Sequence, residues 1–169
     1  VAVIAFISML AIGPRGALAL IQQLGNSASP ATGHAEVIAQ GVSTLPDGES
    51  AWRVTGETAG AWDSTEPETR DLGFVLASDG GIVINDYTGG GQSRLAPGEA
   101  AFGASGAYQS RAALSGNNTA YLQISLIDSG SANQGNDVRY AGDGFASPDG
   151  RRDLDLVRDV LADGEETTI

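Results

Sequence analysis

The sequence predicts a mainly β fold, an antiparallel β-barrel or jelly roll, preceded by an N-terminal membrane-anchor helix. Three observations point there. Short alternating or continuous apolar segments recur from Glu36 to Ile127, Gly-, Asn- and Asp-rich turns separate them, and residues 1–13 form an almost unbroken apolar run.

The apolar run, Val1-Ala-Val-Ile-Ala-Phe-Ile-Ser-Met-Leu-Ala-Ile-Gly13, would reach only about 20 Å as a helix, short of the ~20 residues that cross a bilayer. Either it continues upstream of Val1, or it is the apolar stretch of a secretory signal, for which Ala17-Leu-Ala19 fits the small-x-small cleavage pattern. An uncleaved anchor is the preferred reading, and both ends of the chain are expected to be cut from a longer protein. Gly13-Pro14 ends or kinks the helix, because proline lacks an N–H and clashes with the preceding turn. Arg15 then sits at headgroup level, and residues 17–24 lie along the interface. Residues 1–24 are thus an anchor or interfacial helix, with Ile4, Phe6 and Leu10 as contacts for a membrane partner; the alternative is a helix packed on a protein surface.

Residues 25–34 read as a linker, and strands begin after it. Strand patterns fall at 36–43, 50–55, 72–77, 81–87, 92–95, 100–103, 108–114 and 119–127. Leu45-Pro-Asp-Gly48 turns between the first two, and Gly89-Gly90-Gly91 forms a hairpin tip. Residues 56–70 are polar and read as a loop, and residues 129–152 as a long Gly-, Asn- and Asp-rich loop. The domain proper is therefore 35–128. Residues 153–169 return to the strand pattern and echo residues 36–50, each ending in an Asp-Gly-Glu turn. They either add to the barrel or open a second unit of the same kind.

Composition narrows function. The chain has 169 residues, a net charge of −12, nine arginines, no lysine and no cysteine. An acidic surface repels phosphate backbones, so nucleic acid is not an expected partner. Without cysteine there is no disulfide, thiolate ligand or thiol nucleophile. The single histidine, His34, precedes the first strand, so neither a His-rich metal site nor a Ser-His-Asp triad is expected. Glu66 with Glu68, and Asp153 with Asp155, read as solvated acids. Asn136, Asp137, Asp143 and Asp149 lack the spacing of a regular calcium loop. Asn117-Asn118-Thr119 fits the glycosylation pattern in what reads as a hairpin turn.

Two turns carry a family resemblance. Leu45-Pro-Asp-Gly-Glu49 and Leu95-Ala-Pro-Gly-Glu99, with Val75-Leu76 between them, resemble the turns and strands of the cupin family over residues 36–127. The resemblance implies a barrel that commonly holds a metal through a His-x-His pair, a glutamate and a second-motif histidine. Here those positions fall near Val54, Gly56, Asp71 or Gly73, and Gln109, so no metal and no cofactor are expected. Trp52, Phe74, Phe102, Tyr108 and Tyr121 are expected to fill the interior. Trp52, Tyr108 and Gln109 are the candidate ligand-binding residues, and Trp62 is a lid or a partner contact. The expected function is a non-catalytic, membrane-anchored accessory subunit in the periplasm or extracellular space, bound to membrane protein subunits. The alternative is a module binding a sugar or other small molecule.

Overall fold

The computed structural model describes residues 34–61 and 64–160. The anchor, with Ile4, Phe6 and Leu10, and the lid candidate Trp62 lie outside the described residues. Twelve strands are present among those described: β1 (His34–Thr44), β2 (Glu49–Ala59), β3 (Glu68–Thr69), β4 (Leu72–Asp79), β5 (Ile82–Asp86), β6 (Gly91–Leu95), β7 (Ala100–Gly103), β8 (Tyr108–Ala113), β9 (Thr119–Asp128), β10 (Val138–Ala141), β11 (Phe145–Ala146) and β12 (Arg151–Val160). The mainly β expectation holds. The strands form three open sheets rather than one closed barrel.

The central sheet has the order β10-β2-β9-β4-β7, with β11 also paired to β2. Its middle strand β9 runs antiparallel to β2 over Ser50↔Asp128 to Ala59↔Thr119 and to β4 over Leu72↔Leu126 to Asp79↔Ala120. A sheet covered on both faces needs apolar residues at successive positions. β4 meets that need, being buried without interruption from Leu72 to Ala77.

Strand alternation sends odd and even residues to opposite sides. One face carries Trp52, Val54, Leu72, Phe74, Ile124 and Leu126, packed on Leu45, Leu154 and Leu156 from the two-stranded ribbon β1-β12. The other face carries Ala59, Val75, Ala77 and Tyr121, packed on Ile82, Ile84 and Leu95 from the sheet β3-β8-β5-β6. Two main cores result, one on each side of the central sheet, with a smaller cluster of Ala51, Ile127 and Ala132 beside them.

The sequence-predicted turns acquire a clear task. Leu45–Gly48 takes the chain from the ribbon into the central sheet, and Ala96–Glu99 takes it from β6 into β7, again between sheets. In the second, the Glu99 carboxylate accepts from the Ala96 N–H at 2.8 Å, and Gly98 has φ 84°, a region that favours glycine. The segment around Asn117 and Asn118 is another crossing between sheets, not a hairpin turn, because β8 and β9 do not pair. Two further expectations need correcting. β2 continues through Gly56 to Ala59 and β3 follows at Glu68, so the polar stretch is partly strand. Residues 129–152 contain β10 and β11, which pair with β2 and extend the central sheet. Polar composition hid these edge strands, since an edge has a solvated side and needs few apolar residues.

β12 pairs antiparallel with β1 from His34↔Val160 to Thr44↔Arg151, so the two segments that echo one another lie side by side. The ribbon approaches β7 closely at Gly41, where an added Cβ would run into the Phe102 ring. Phe102 in turn packs edge-on against Phe74, with ring centroids 5.6 Å apart. Gly41→Ala should therefore cost about 1–3 kcal/mol through overpacking. The same change made in a Phe102→Ala background should cost much less, because the obstructing ring is gone. Urea unfolding of the four proteins of this cycle measures the coupling.

Candidate functional site

Strand β8 organises both chemically rich regions of the molecule. It pairs with β5 from Ile82↔Ala113 to Asp86↔Gln109, and with β3 through Glu68↔Gln109 and Thr69↔Tyr108. Alternation along it points Tyr108 and Ser110 away from the central sheet and Gln109 and Arg111 towards it.

The outward side is a polar and aromatic surface. Tyr87 and Tyr108 are 54 % and 46 % exposed, the level of a surface contact rather than a core. Their rings lie 5.9 Å apart between centroids, tilted by 54°. A line of hydrogen bonds runs beside them. Arg94 Nε donates to Gln92 Oε1 at 3.4 Å, and Gln92 Nε2 to Asn85 Oδ1 at 2.9 Å. Asn85 Nδ2 then donates to Ser110 Oγ at 3.2 Å, and the Tyr87 hydroxyl shares a bond with that Oγ at 3.1 Å. The register places Asn85 opposite both Gln92 and Ser110, so the line crosses three strands.

The turn between β5 and β6 fixes the tyrosines. Asp86 Oδ1 accepts from the N–H groups of Thr88 at 2.8 Å and Gly89 at 3.1 Å. Thr88 Oγ1 accepts from the Tyr108 N–H at 2.8 Å, and the Tyr87 N–H donates to the Tyr108 carbonyl at 2.9 Å. The Gly89 N–H, the largest favourable influence, holds the Asp86 carboxyl below its usual range, with Thr88, Gln109 and Arg111 adding to the effect.

The inward side of β8 faces a polar cluster. Arg111 is 1 % exposed and Gln109 6 %. Arg111 Nη1 donates to the Ser110 carbonyl and Nη2 to Gln123 Oε1, both at 3.5 Å. Gln123 Nε2 is engaged by the Phe74 carbonyl at 3.3 Å. Beside them the Tyr121 hydroxyl donates to Glu57 Oε2 at 2.5 Å, and Arg70 reaches Glu57 at 3.5 Å and Glu68 at 2.5 Å. Burial, then the nearby charge of Arg70, pulls Arg111 down to about 10, so it remains a cation at neutral pH. Burial and the bond to Glu57 push Tyr121 up, so its proton stays on.

The three residues expected to share a ligand point three ways. Trp52 is buried on the ribbon side of the central sheet, 6.5 Å from Phe74 between centroids. Tyr108 lies on the outer surface instead of filling the interior, and Gln109 lies inside. Adjacent positions on one strand cannot line one pocket, because their side chains diverge. Val54, one of the positions matched to the histidine pair, is buried on the ribbon side. Thr55 and Glu57, not their neighbours, pair with Gln123 and Tyr121 and share their side of the sheet. The Asp71 side chain is 57 % exposed and meets Arg53 at 3.9 Å. Among the described residues no group of three or more His, Cys, Asp or Glu side chains gathers as a metal would require. Asn85, Tyr87, Gln92, Arg70 and Arg111 were not anticipated. Counting back from the glycine hairpin tip would have paired Asn85 with Gln92.

Asp86 gives the outer surface a defined acid sensitivity. A carboxyl lowered in the folded state contributes stability that is present above its unfolded pKa, near 3.8, and lost as pH falls through the lower folded value. Protection of the Thr88 and Gly89 amides against exchange, relative to the unprotected rate at the same pH, should fall across that acid window, and Asp86→Ala should show low protection at every pH. The NMR-detected exchange rates of those two amides provide the check.

No protein-family model matches the chain, and no curated protein does. Among solved structures it is similar to the crystal structure of protein NMB1881 from Neisseria meningitidis, at a TM-score of 0.39 and 14 % identity, covering 64 % of this chain and 96 % of that one.

Proposed function

We propose that this chain is a non-catalytic binding module whose working surface is the outer face of β3-β8-β5-β6, and that its ligand is a neutral glycan. The supporting observation is the exposed Tyr87–Tyr108 pair set beside the Arg94–Gln92–Asn85–Ser110 line. A pyranose ring has an apolar C–H face and a rim of hydroxyls. Tyrosine rings meet the first, and amides and a guanidinium meet the second. The net charge of −12 disfavours polyanionic chains and leaves neutral ones as the fitting class. The turns Leu45–Glu49 and Leu95–Glu99 carry the likeness to cupins, and with it the proposal of a jelly-roll ancestry from which the metal histidines are missing.

The module is further proposed to sit outside the cytoplasm, held at a membrane by residues 1–24. A second reading, an accessory subunit docked on membrane proteins, draws support from β1. Val37 and Val42 are 51 % and 47 % exposed there, two apolar side chains beside the acidic Asp153 and Asp155 of β12.

Titration calorimetry against neutral oligosaccharides tests the first reading. Tyr108→Ala and Tyr87→Ala should each weaken binding by about tenfold, roughly 1.4 kcal/mol, whereas Trp52→Phe, in the far core, should leave it unchanged. Failure of every neutral oligosaccharide to bind, or equal binding by the tyrosine variants, would sink the proposal. For the second, detergent extraction should recover the chain with other membrane subunits. A soluble monomer would count against both tether and docking.

A further inference from the structure

The three sheets meet around a recess of about 460 Å³. Glu36 and Val37 of β1 and Arg158 of β12 line its ribbon side, and the turn from Leu95 of β6 to Ala100 of β7 lines the other. Arg158 ties the two sides together. Its Nη2 donates to Glu36 Oε2 at 2.7 Å and its Nη1 to the Gly98 carbonyl at 3.3 Å. Gly98 leaves room for that approach, since a Cβ there would come within 3.2 Å of Nη1. Glu36 thus compensates Arg158. Glu99 is the second acid of the recess, and no cation pairs with it among the described residues. Its Oε2 accepts from the Ala96 N–H, while its Oε1 accepts no bond among the described residues. Two acids against one base leave the recess with one negative charge. Beside that charge lie the exposed Val37 and Pro97, an apolar wall.

We infer that this recess binds a primary alkylammonium group, its charged head on Glu99 and its short carbon chain along Val37 and Pro97. An ammonium brings only donors, which suits a carboxylate oxygen that has none. Its methylenes cover apolar surface while the charge stays at the carboxylate. The net charge of −12 enriches cations around the chain and repels anions. The chain has no lysine, so a side chain of this kind comes from another molecule. Glu99 is exposed, so water screens the pair and binding is weak, with a dissociation constant on the order of 10 mM. The site is independent of the glycan-binding surface, because neither Tyr87 nor Tyr108 lines it.

The probe is n-butylammonium, with butyrate as the control of opposite charge, each titrated into the full chain at constant ionic strength and followed by ¹H–¹⁵N spectroscopy. The expected result is a saturable shift of the Val37, Gly98 and Glu99 amides with butylammonium and none with butyrate. That comparison needs only the unaltered chain. Glu99→Gln removes the charge, yet its amide oxygen can still accept from the Ala96 N–H and keep the turn. It should weaken binding by about threefold or more. Asp143→Asn, between β10 and β11 at the opposite edge of the central sheet, should leave binding unchanged. Nα-acetyl-lysine methylamide distinguishes the sources: tighter binding than butylammonium identifies the lysine of a partner protein, and equal or weaker binding a free amine, each in support of the inference. No saturable shift, an equal shift with butyrate, or undiminished affinity in Glu99→Gln would overturn it. So would an equal loss in Asp143→Asn, the mark of diffuse attraction to an acidic chain.

Discussion

The pairing of β2, β9 and β4 is the constraint on which everything else in this molecule rests. Ten paired positions between β2 and β9 fix which residues face the ribbon and which face the outer sheet. Because side chains alternate, a slip of one residue would exchange the two sets. Trp52 and Val54 would then meet the polar side that now holds Tyr121 and Gln123, and Glu57 and Arg53 would enter the apolar core around Phe74. The two faces differ too strongly in polarity for that exchange, so the register is specified by burial as well as by backbone hydrogen bonds. Gly73 reinforces it, since a Cβ at that position would collide with the Ile124 carbonyl of β9.

From that register the outer surface follows at one remove. The outer sheet is held to the central one by Ile82, Ile84 and Leu95, all inward residues of β5 and β6. Their alternation partners Val83, Asn85, Gln92 and Arg94 must then face away. The Asp86 turn ties β5 to the start of β8 through Thr88, so Tyr87 and Tyr108 are brought together by backbone and short side-chain bonds as well as by the contact between their rings. A surface built in that way is preorganised, which lowers the ordering cost of taking a ligand.

Much of this architecture was legible in the sequence, and the reasons are local. The continuous apolar run at Leu72–Ala77 announced a strand covered on both sides, and alternation announced β5, β8 and β9. The Pro-Gly and Asp-Gly turns were visible because their backbone needs special residues. What stayed hidden was pairing between distant segments. β10 and β11 are short, polar edges whose existence depends on β2, not on their own composition. The candidate site suffered most, because parity within a strand, invisible without knowing which side is covered, separates Tyr108 from Gln109 and both from Trp52.

The buried arginine illustrates how polarity and burial compete in a layered fold. Between the outer and central sheets apolar and polar side chains sit side by side: Ile84 is paired with Arg111, Val75 with Gln123 and Ala77 with Tyr121. The bonds of Arg111, Gln123, Tyr121 and Glu57 satisfy most of the polar donors and acceptors there. An apolar residue at position 111 would have packed against Ile84, its neighbour on β5, without the cost of burying a charge. That cost is offset in part by the negative charges of Glu57 and Glu68 nearby, which act against the desolvation of Arg111.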